Sequence, residues 1–162
     1  MIILGLDLAL KKVGYAVFED GELYTLPQSY GVVWTDGKLT QAGKLVSLRD
    51  TISALITRFS PDEVVIEDTF RGPNVTVFKT LSRCTGVIME LVRRELHKDP
   101  QVFLATQVRK PLKVKKKEEV FEYFNQKYQL KLDFKKDNDI TDAMVLCYGY
   151  YAISHSPEVP AT

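Results

Sequence analysis

Three separate segments of the sequence place carboxylates where a folded chain normally excludes charge. Asp7 interrupts the apolar run ILGLDLA, Glu67 closes VVIE, and Asp139 and Asp142 lie in DNDITDAMVLC. An ionised carboxylate is costly to bury unless it pairs with a cation, accepts hydrogen bonds or binds a metal. No Lys or Arg lies within two residues of Asp7. These four side chains are therefore the candidate chemical groups of the chain.

The same carboxylates predict a particular class of metal chemistry. Hard oxygen ligands without clustered His or Cys suit Mg²⁺, or Mn²⁺ in its place, rather than zinc, and His97 and His155 are isolated in polar contexts. Two divalent ions about 3.5–4 Å apart can activate a water and stabilise the leaving oxygen of a phosphodiester. Residues 109–117, RKPLKVKKK, hold six cations in nine positions, and these would supply affinity for phosphate.

A purely structural interpretation of the last two carboxylates stays open. Asp139 and Asp142 are three residues apart, so on a helix their Cβ atoms lie about 5–6 Å from each other on one face. Acidic residues in a first helical turn are stabilised by the positive end of the helix dipole, by about 0.3–1 kcal/mol per charge. Asp137 or Asn138 could cap such a helix. This interpretation must still account separately for the acidic residues in the other two segments.

The strands that must position these residues are short and rich in apolar side chains. MIILGLDLA and VGYAVFE are typical of strands, and the pair Asp20 and Gly21 predicts a tight hairpin turn. A third strand is predicted through Tyr24 to Trp34. VVIEDTF predicts a strand covered on both faces, and VFLAT predicts a fifth strand. The basic segment that follows is predicted to be a loop.

Helical spacing of apolar residues predicts the remaining elements. The first helix includes Leu45 to Phe59 and ends before Pro61, the second spans about residues 77–96, and the third carries Val120 to Tyr128. The last helix is predicted from about Asn138 to Ser154. Three antiparallel strands thus come first, and strands and helices alternate after them. We therefore expect an α/β fold with a mixed five-stranded sheet and helices on both faces.

Composition limits the classes of protein to which the chain can belong. With 162 residues, 45% of them hydrophobic, and a net charge of +1, one domain over residues 1–155 is expected, followed by a flexible tail over 156–162. The apolar N-terminal run contains Asp7 and is too short to cross a bilayer, so neither a signal nor a membrane segment is predicted. Cys84 and Cys147 are predicted to be buried thiols, which suits a reducing cytoplasm.

Several motifs together resemble the RuvC family of Holliday junction resolvases, which have an RNase H-like fold. GLDLALKKVGYAVFEDGEL, VVIEDTF, LATQVRK, KKEEV and DITDAM occur in the family's order and near its spacings. The resemblance implies that Asp7, Glu67, Asp139 and Asp142 hold two Mg²⁺ ions. It also implies a homodimer that nicks four-way and other branched DNA and leaves 5′-phosphate and 3′-hydroxyl ends.

The resemblance extends to residues that would contact DNA. Phe70 matches an aromatic residue that contacts bases at the junction crossover, and Arg109 or Lys110, with Lys117, match basic positions near the scissile phosphate. Lys117 is therefore assigned a catalytic role. The remaining cations of the basic segment are assigned to DNA binding: Lys113, Lys115 and Lys116.

The chain also departs from the family pattern in the turn after its first acidic residue. Leu8 and Ala9 stand where the family usually has Pro-Gly, and Leu10 and Val13 replace small hydroxyl residues. These changes predict a turn of different shape, altered base-sequence selectivity and a divergent, phage-type member of the family. The protein, bacterial or phage-encoded, is expected to act in the cytoplasm. The helix over residues 77–96, which contains Gly86, is the predicted dimer interface.

Three alternative functions stay open at this point. An RNase H-like nuclease that cuts structured RNA would need the same carboxylates, and a non-catalytic protein could bind branched DNA with carboxylates that no longer serve catalysis. The first hairpin also resembles the phosphate-binding hairpin of actin-like ATPases and sugar kinases. That fold needs two lobes around its nucleotide, for which 162 residues leave too little room.

Overall fold

A computed structural model describes residues 1–68 and 72–156 of the chain. Within these residues the strands are β1 (Ile2–Asp7), β2 (Lys12–Glu19), β3 (Glu22–Leu23), β4 (Tyr30–Trp34), β5 (Glu63–Glu67) and β6 (Gln101–Phe103). The helices are α1 (Gln41–Phe59), α2 (Val75–Leu96), α3 (Ala105–Arg109), α4 (Lys117–Lys127) and α5 (Phe134–Ser154), with a short 3₁₀ helix over Lys110–Leu112.

The strands form one mixed sheet in the order β3-β2-β1-β5-β6, with β4 also paired to β2. The pairs among the first four strands are antiparallel, whereas β1–β5 and β5–β6 are parallel. The predicted hairpin turn is confirmed, because Asp20 and Gly21 both have positive φ, at 50° and 84°, as a tight turn between twisted strands requires.

The predicted third strand is divided into β3 and β4, which pair with successive parts of β2. The intervening residues include Pro27, which has no backbone N–H to donate, and Gln28, whose φ is +60°. The loop returns to β2 because Val17 donates its backbone N–H to the Ser29 carbonyl oxygen at 2.7 Å. The antiparallel edge of the predicted mixed sheet therefore consists of two short strands, β3 and β4.

Helices cover both faces of the sheet, as predicted, and each face has its own apolar core. On one face α1 and α2 pack together over side chains such as Leu4 and Leu6 of β1. On the other face α5 crosses β1 and β2, with α3 and α4 beside it, and it buries Ile3, Ala16 and Phe18. Successive residues of β1 thus alternate between the two cores, which is the period of a strand covered on both sides.

The start of the last helix differs from the prediction. Helix α5 begins at Phe134, and its N-cap is Asp133, whose side chain accepts a hydrogen bond from the Lys136 N–H. Asn138 does not cap the helix, because its side-chain amide donates to the Phe134 carbonyl oxygen at 2.8 Å. Asp139 and Asp142 consequently lie beyond the first turn, where the helix dipole contributes little, so the predicted stabilisation of these two acids by a first-turn position is wrong.

The basic segment is also more ordered than predicted, because Arg109 ends α3, Lys110 starts the 3₁₀ helix and Lys117 starts α4. Helix α3 has only five residues, too few for a periodic pattern. The Gln107 side chain helps to start it by accepting a hydrogen bond from the Leu104 N–H at 2.8 Å.

Two further features of the chain concern its environment. Cys84 and Cys147 are buried free thiols, as predicted. None of the helices over 1–68 and 72–156 combines the length and the hydrophobicity that a bilayer crossing needs. Most of the predicted C-terminal tail, residues 157–162, lies outside the described residues.

Candidate active site

Three of the four predicted carboxylates meet in one cluster between β1 and α5. Asp7 is the last residue of β1, and Asp139 and Asp142 face it from the second and third turns of α5. One oxygen from each of these three residues lies within 4.8 Å of the others. Asp7 is 132 positions from Asp139 and 135 from Asp142 in the sequence, yet the fold brings all three within reach of a single cation.

Small residues on the sheet allow α5 to come this close. Gly14 of β2 pairs with Asp7 of β1, and a Cβ atom on Gly14 would overlap the backbone oxygen of Asp139. Gly5, two residues before Asp7, faces α5 in the same way, because a Cβ there would overlap the Ala143 carbonyl oxygen. The two glycines therefore set the distance between the carboxylate on the sheet and those on the helix.

Two lysines enter the cluster from other elements. Lys117 Nζ, at the start of α4, lies 2.6 Å from Asp142 Oδ2, and Lys12 Nζ, at the start of β2, lies 2.5 Å from Asp139 Oδ2. Lys117 was predicted as a site residue, whereas Lys12 was missed. The two-residue period of a strand could have revealed Lys12. Residues 12 and 14 of β2 point to the same face of the sheet, and Gly14 lies against Asp139.

The cluster perturbs the pKa values of its carboxylates in different directions. The pKa of Asp7 is raised well above its usual value, first by burial and then by the charge of Asp142 and a hydrogen bond to Asp139. Burial also raises the pKa of Asp142, against the opposing effect of Lys117. Burial alone would raise the pKa of Asp139, but the hydrogen bonds from Lys12 and Asp7 outweigh this effect, so the pKa is lowered. Asp7 is therefore the carboxyl that most readily takes up a proton.

Glu67 lies near this cluster but is not one of the three residues within 4.8 Å of one another. It ends β5, which runs parallel to β1 with Leu6 opposite Ile66, so Asp7 and Glu67 reach the same edge of the sheet. The Glu67 side chain is exposed, yet its pKa is raised by partial desolvation and by the charge of Asp142. The influence of the Asp142 charge indicates that Glu67 lies near the cluster.

The predicted DNA-binding cations flank the carboxylates. The positive charge of Arg109 acts to lower the pKa values of Asp142 and Glu67, which places its guanidinium near the cluster. Arg109 also donates to the Lys115 carbonyl oxygen at 3.2 Å, and its buried Nε has no hydrogen-bond partner among the described residues. The other cations of this segment are exposed: Lys110, Lys113, Lys115 and Lys116.

All of these cations except Lys116 also line a cavity of about 600 Å³. Thr106, Arg109, Lys110, Lys113, Val114 and Lys115 line it. Because Arg109 belongs both to this lining and to the surroundings of the carboxylates, the cavity adjoins the cluster. The predicted base-contacting aromatic, Phe70, lies outside the described residues.

The donor set fits a hard divalent cation such as Mg²⁺. Carboxylate oxygens are the ligands that Mg²⁺ prefers, and Asp142 Oδ1 is buried without a hydrogen-bond partner in the part of the chain that the structure describes. A buried carboxylate oxygen that accepts no hydrogen bond is costly, and a cation would relieve that cost. Asp7, Asp139 and Asp142 are the residues that would hold it, with Glu67 nearby.

Comparison with known proteins bears directly on the chain's family. Residues 3–150 match the family model for crossover junction endodeoxyribonuclease RuvC. RuvC of Dictyoglomus thermophilum is 27% identical over 161 residues, which cover 93% of this chain and 96% of that protein. RuvC of Paramagnetospirillum magneticum is 35% identical over 89 residues, and this alignment spans about half of each protein, 55% of this chain and 54% of the relative.

Solved structures with a similar fold extend over nearly the whole chain. The structure of Thermus thermophilus RuvC in complex with Holliday junction substrate matches with a TM-score of 0.78 at 18% identity, covering 95% of this chain and 96% of that one. The yeast mitochondrial Holliday junction resolvase Ydc2 matches with a TM-score of 0.59 at 13% identity, covering 92% and 77%. These likenesses agree with the RNase H-like fold that was predicted, and the family match over residues 3–150 shows that this chain belongs to the RuvC family of crossover junction endodeoxyribonucleases.

Proposed function

We propose that the chain is a Mg²⁺-dependent, structure-selective endonuclease that nicks two opposed strands of a four-way DNA junction. The observation that carries this proposal is the carboxylate cluster of Asp7, Asp139 and Asp142 with its unpartnered buried oxygen, in a chain of the RuvC family. Two ions per site, with Mn²⁺ able to substitute, are part of the proposal. The nuclease is a single domain over residues 1–155 that acts in the cytoplasm, where its unbridged thiols would stay reduced.

The residues around the cluster have distinct proposed roles. When bound, the divalent cation would lower the pKa of the attacking water and offset charge on the leaving oxygen. Asp7, Asp139, Asp142 and Glu67 are the residues that would hold the two cations. Lys117 is a catalytic residue that donates a hydrogen bond to the scissile phosphate; its ammonium stays protonated because the ion pair with Asp142 raises its pKa despite partial burial.

Binding of the DNA backbone is assigned to the cations next to the cavity. Arg109 offers an unused buried N–H beside the carboxylates, which suits a phosphate oxygen close to the cut. Lys110, Lys113, Lys115 and Lys116 are exposed and would bind neighbouring phosphates, each releasing counterions. Phe70, which follows β5 by three residues, is proposed to contact bases at the crossover.

A homodimer is proposed because a four-way junction has approximate two-fold symmetry, which an isologous dimer can match with two equivalent sites. Helix α2 is the proposed interface. A Cβ on Gly86 would meet no described atom within 4 Å, so packing within the chain gives no reason for a glycine that costs the helix about 1 kcal/mol relative to alanine. The exposed apolar residues Val77 (51%) and Met89 (42%) lie on the same helix.

A cleavage assay tests the catalytic proposal. The protein is incubated with an end-labelled immobile four-way junction, a matched linear duplex and a structured RNA, in Mg²⁺ or in EDTA. It is compared with Asp7→Asn and with the control Asp50→Asn, which changes an exposed residue of α1. We expect symmetric nicks in the junction that need Mg²⁺, persist in the control and are lost in Asp7→Asn. Tight junction binding without cutting would instead favour a non-catalytic protein, and cutting of the RNA alone would favour the RNA nuclease.

The dimer is tested separately from cleavage. Light scattering during size-exclusion chromatography should give twice the chain mass of 18.5 kDa for the wild type and a smaller mass for Gly86→Arg. Val46→Arg, at a site on α1 where the native side chain is 58% exposed, is the matched control and should remain dimeric. A wild-type monomer, both alone and on junction DNA, would remove the geometric basis for paired nicks.

A further inference from the structure

The single tryptophan of the chain lies on the surface beside the carboxylate cluster. Trp34 ends β4 and is 59% exposed, whereas the preceding residues Val32 and Val33 pack against the two apolar cores. A large aromatic side chain gains most from burial, so its exposure at this position has no explanation in the stability of the strand. The ring is available to a partner outside the chain.

Two lysines flank the exposed ring. Lys11 Nζ lies 5.9 Å and Lys12 Nζ 5.2 Å from the centroid of the Trp34 ring, both within the range of a cation–π contact. Lys12 pairs with Trp34 across the β2–β4 ladder, which fixes the relation between lysine and ring. An exposed aromatic face bordered by ammonium groups has the composition of sites that stack a base and bind its phosphate.

Lys12 also ties the ring to the carboxylates, because the same Nζ contacts Asp139 Oδ2 at 2.5 Å. Together with the 5.2 Å to the ring, this contact places the Trp34 centroid no more than about 8 Å from Asp139, roughly two nucleotide steps at about 3.4 Å each. A strand whose phosphate lies at the carboxylates would therefore bring a base one or two nucleotides from the cut onto the ring.

We propose that Trp34, with Lys11 and Lys12, stacks an unpaired base of the strand being cut, next to the scissile phosphate. The bases of an intact duplex are already stacked, so their faces are closed to the ring, whereas a branch point can release a base. Trp34 is thus a positioning residue that favours branched over linear DNA. This inference rests on the proposed junction nuclease activity and adds to it a specificity-determining contact on β4.

Because Trp34 is the only tryptophan, its fluorescence reports on the proposed contact directly. The experiment uses the Asp7→Asn protein in Mg²⁺, so that DNA stays intact, and follows tryptophan emission and the anisotropy of labelled DNA in the same titration. A four-way junction that carries its label away from the crossover bases is compared with a linear duplex of the same arm sequence. We expect the junction to quench the emission as it saturates the protein, and the duplex to leave the emission nearly unchanged.

Variants of the same protein give the size of the effect on binding. Trp34→Ala should weaken junction binding about 5- to 150-fold, the usual loss for one stacked base, while Trp34→Phe should stay within a few-fold of the parent. Lys11→Ala should lower the slope of log affinity against log salt by about 0.7–0.9, as expected when one phosphate contact is lost. Val46→Ala, which truncates an exposed side chain on α1, should change neither quantity.

The outcomes separate this inference from the proposed function. Saturation by anisotropy without a change in emission, equal quenching by the linear duplex, or a Trp34→Ala protein that binds like the parent would each overturn the stacking contact while leaving the nuclease proposal intact. If anisotropy detects no preference for the junction over the duplex in any protein, both the inference and the structure-selective function fail.

Discussion

Replacing Asp7 by asparagine should make the metal-free protein more stable while it removes cleavage. Asp7 shares the cluster with two other carboxylates, and each of those has its own lysine, Asp139 with Lys12 and Asp142 with Lys117. Asp7 has no described ion pair in this arrangement, and its pKa is raised well above the usual value by burial and by the charge of Asp142. An amide keeps the shape of the side chain and removes the uncompensated charge.

The expected gain follows from the geometry of the cluster. Two like charges 4.8 Å apart, the upper limit of the separations in the cluster, repel by about 3.5 kcal/mol at an effective dielectric constant of about 20. Asp7 faces two such carboxylates, and the two lysines and the partial access of solvent offset most of the repulsion. We therefore expect Asp7→Asn to raise the free energy of unfolding by about 1–2 kcal/mol, which corresponds to about 2–8 °C in Tm for a chain of this length.

Thermal unfolding in EDTA at neutral pH measures this difference, with Asp50→Asn on the exposed surface of α1 as the control for loss of one charge. A carboxyl whose pKa is raised in the folded state contributes stability below its unfolded value, and that contribution is lost as the pH rises through the folded value. The advantage of Asp7→Asn should therefore be largest above the raised pKa of Asp7 and disappear toward its ordinary value of 3.8. Saturating Mg²⁺ should narrow the difference in Tm between the two proteins, since Mg²⁺ binding stabilises the wild type more than Asp7→Asn.

Two results would refute this reasoning. One is an Asp7→Asn protein that melts at or below the wild-type Tm in EDTA, which would mean that the lysines fully compensate the third carboxylate. The other is a difference in stability that does not change with pH, because then the effect would come from packing and not from the charge of Asp7.

Further predictions concern the surroundings of the cluster and the edge of the sheet. Gly14→Ala should lower the free energy of unfolding in urea by about 1–3 kcal/mol, because its methyl group must displace α5, whereas Gly37→Ala, with open space around it, should be nearly neutral. Lys117→Met should raise the pH above which calorimetry detects Mg²⁺ binding. The lysine lowers the pKa of Asp142, so without it this carboxyl loses its proton only at higher pH. An unchanged pH dependence of Mg²⁺ binding would contradict this. Tyr128→Phe should cost about 1–2 kcal/mol of stability through the lost hydrogen bond to Glu22 at 2.7 Å, and an unaltered urea midpoint would contradict that expectation.

The sequence was most informative where one pattern has one structural outcome. The Asp20–Gly21 turn, the end of α1 before Pro61 and the sheet with helices on both faces were all predicted, because turn chemistry and burial period are local signals. Three of the four candidate carboxylates meet as expected, since a charged residue at the end of a buried strand requires a partner.

Features that depend on distant contacts could not be predicted from local patterns. The division of the third strand into β3 and β4 follows from a loop that hydrogen-bonds back to β2. The start of α5 at Phe134 was missed because Asn138 resembles a cap but bonds within the helix. Lys12 lies far from Asp139 in sequence, so only the packing of α5 against Gly14 reveals their ion pair.

The position of α5 in the chain has a consequence for synthesis. This helix follows every strand of the described residues, yet it supplies two of the three clustered carboxylates and packs across β1 and β2 on one apolar face of the sheet. A nascent chain that has left the ribosome only as far as α4 therefore holds an incomplete cation site and exposes apolar side chains that α5 covers, such as Ile3 and Ala16. During translation the polypeptide would be unable to cut nucleic acid and would be a substrate for chaperones until its last helix docks.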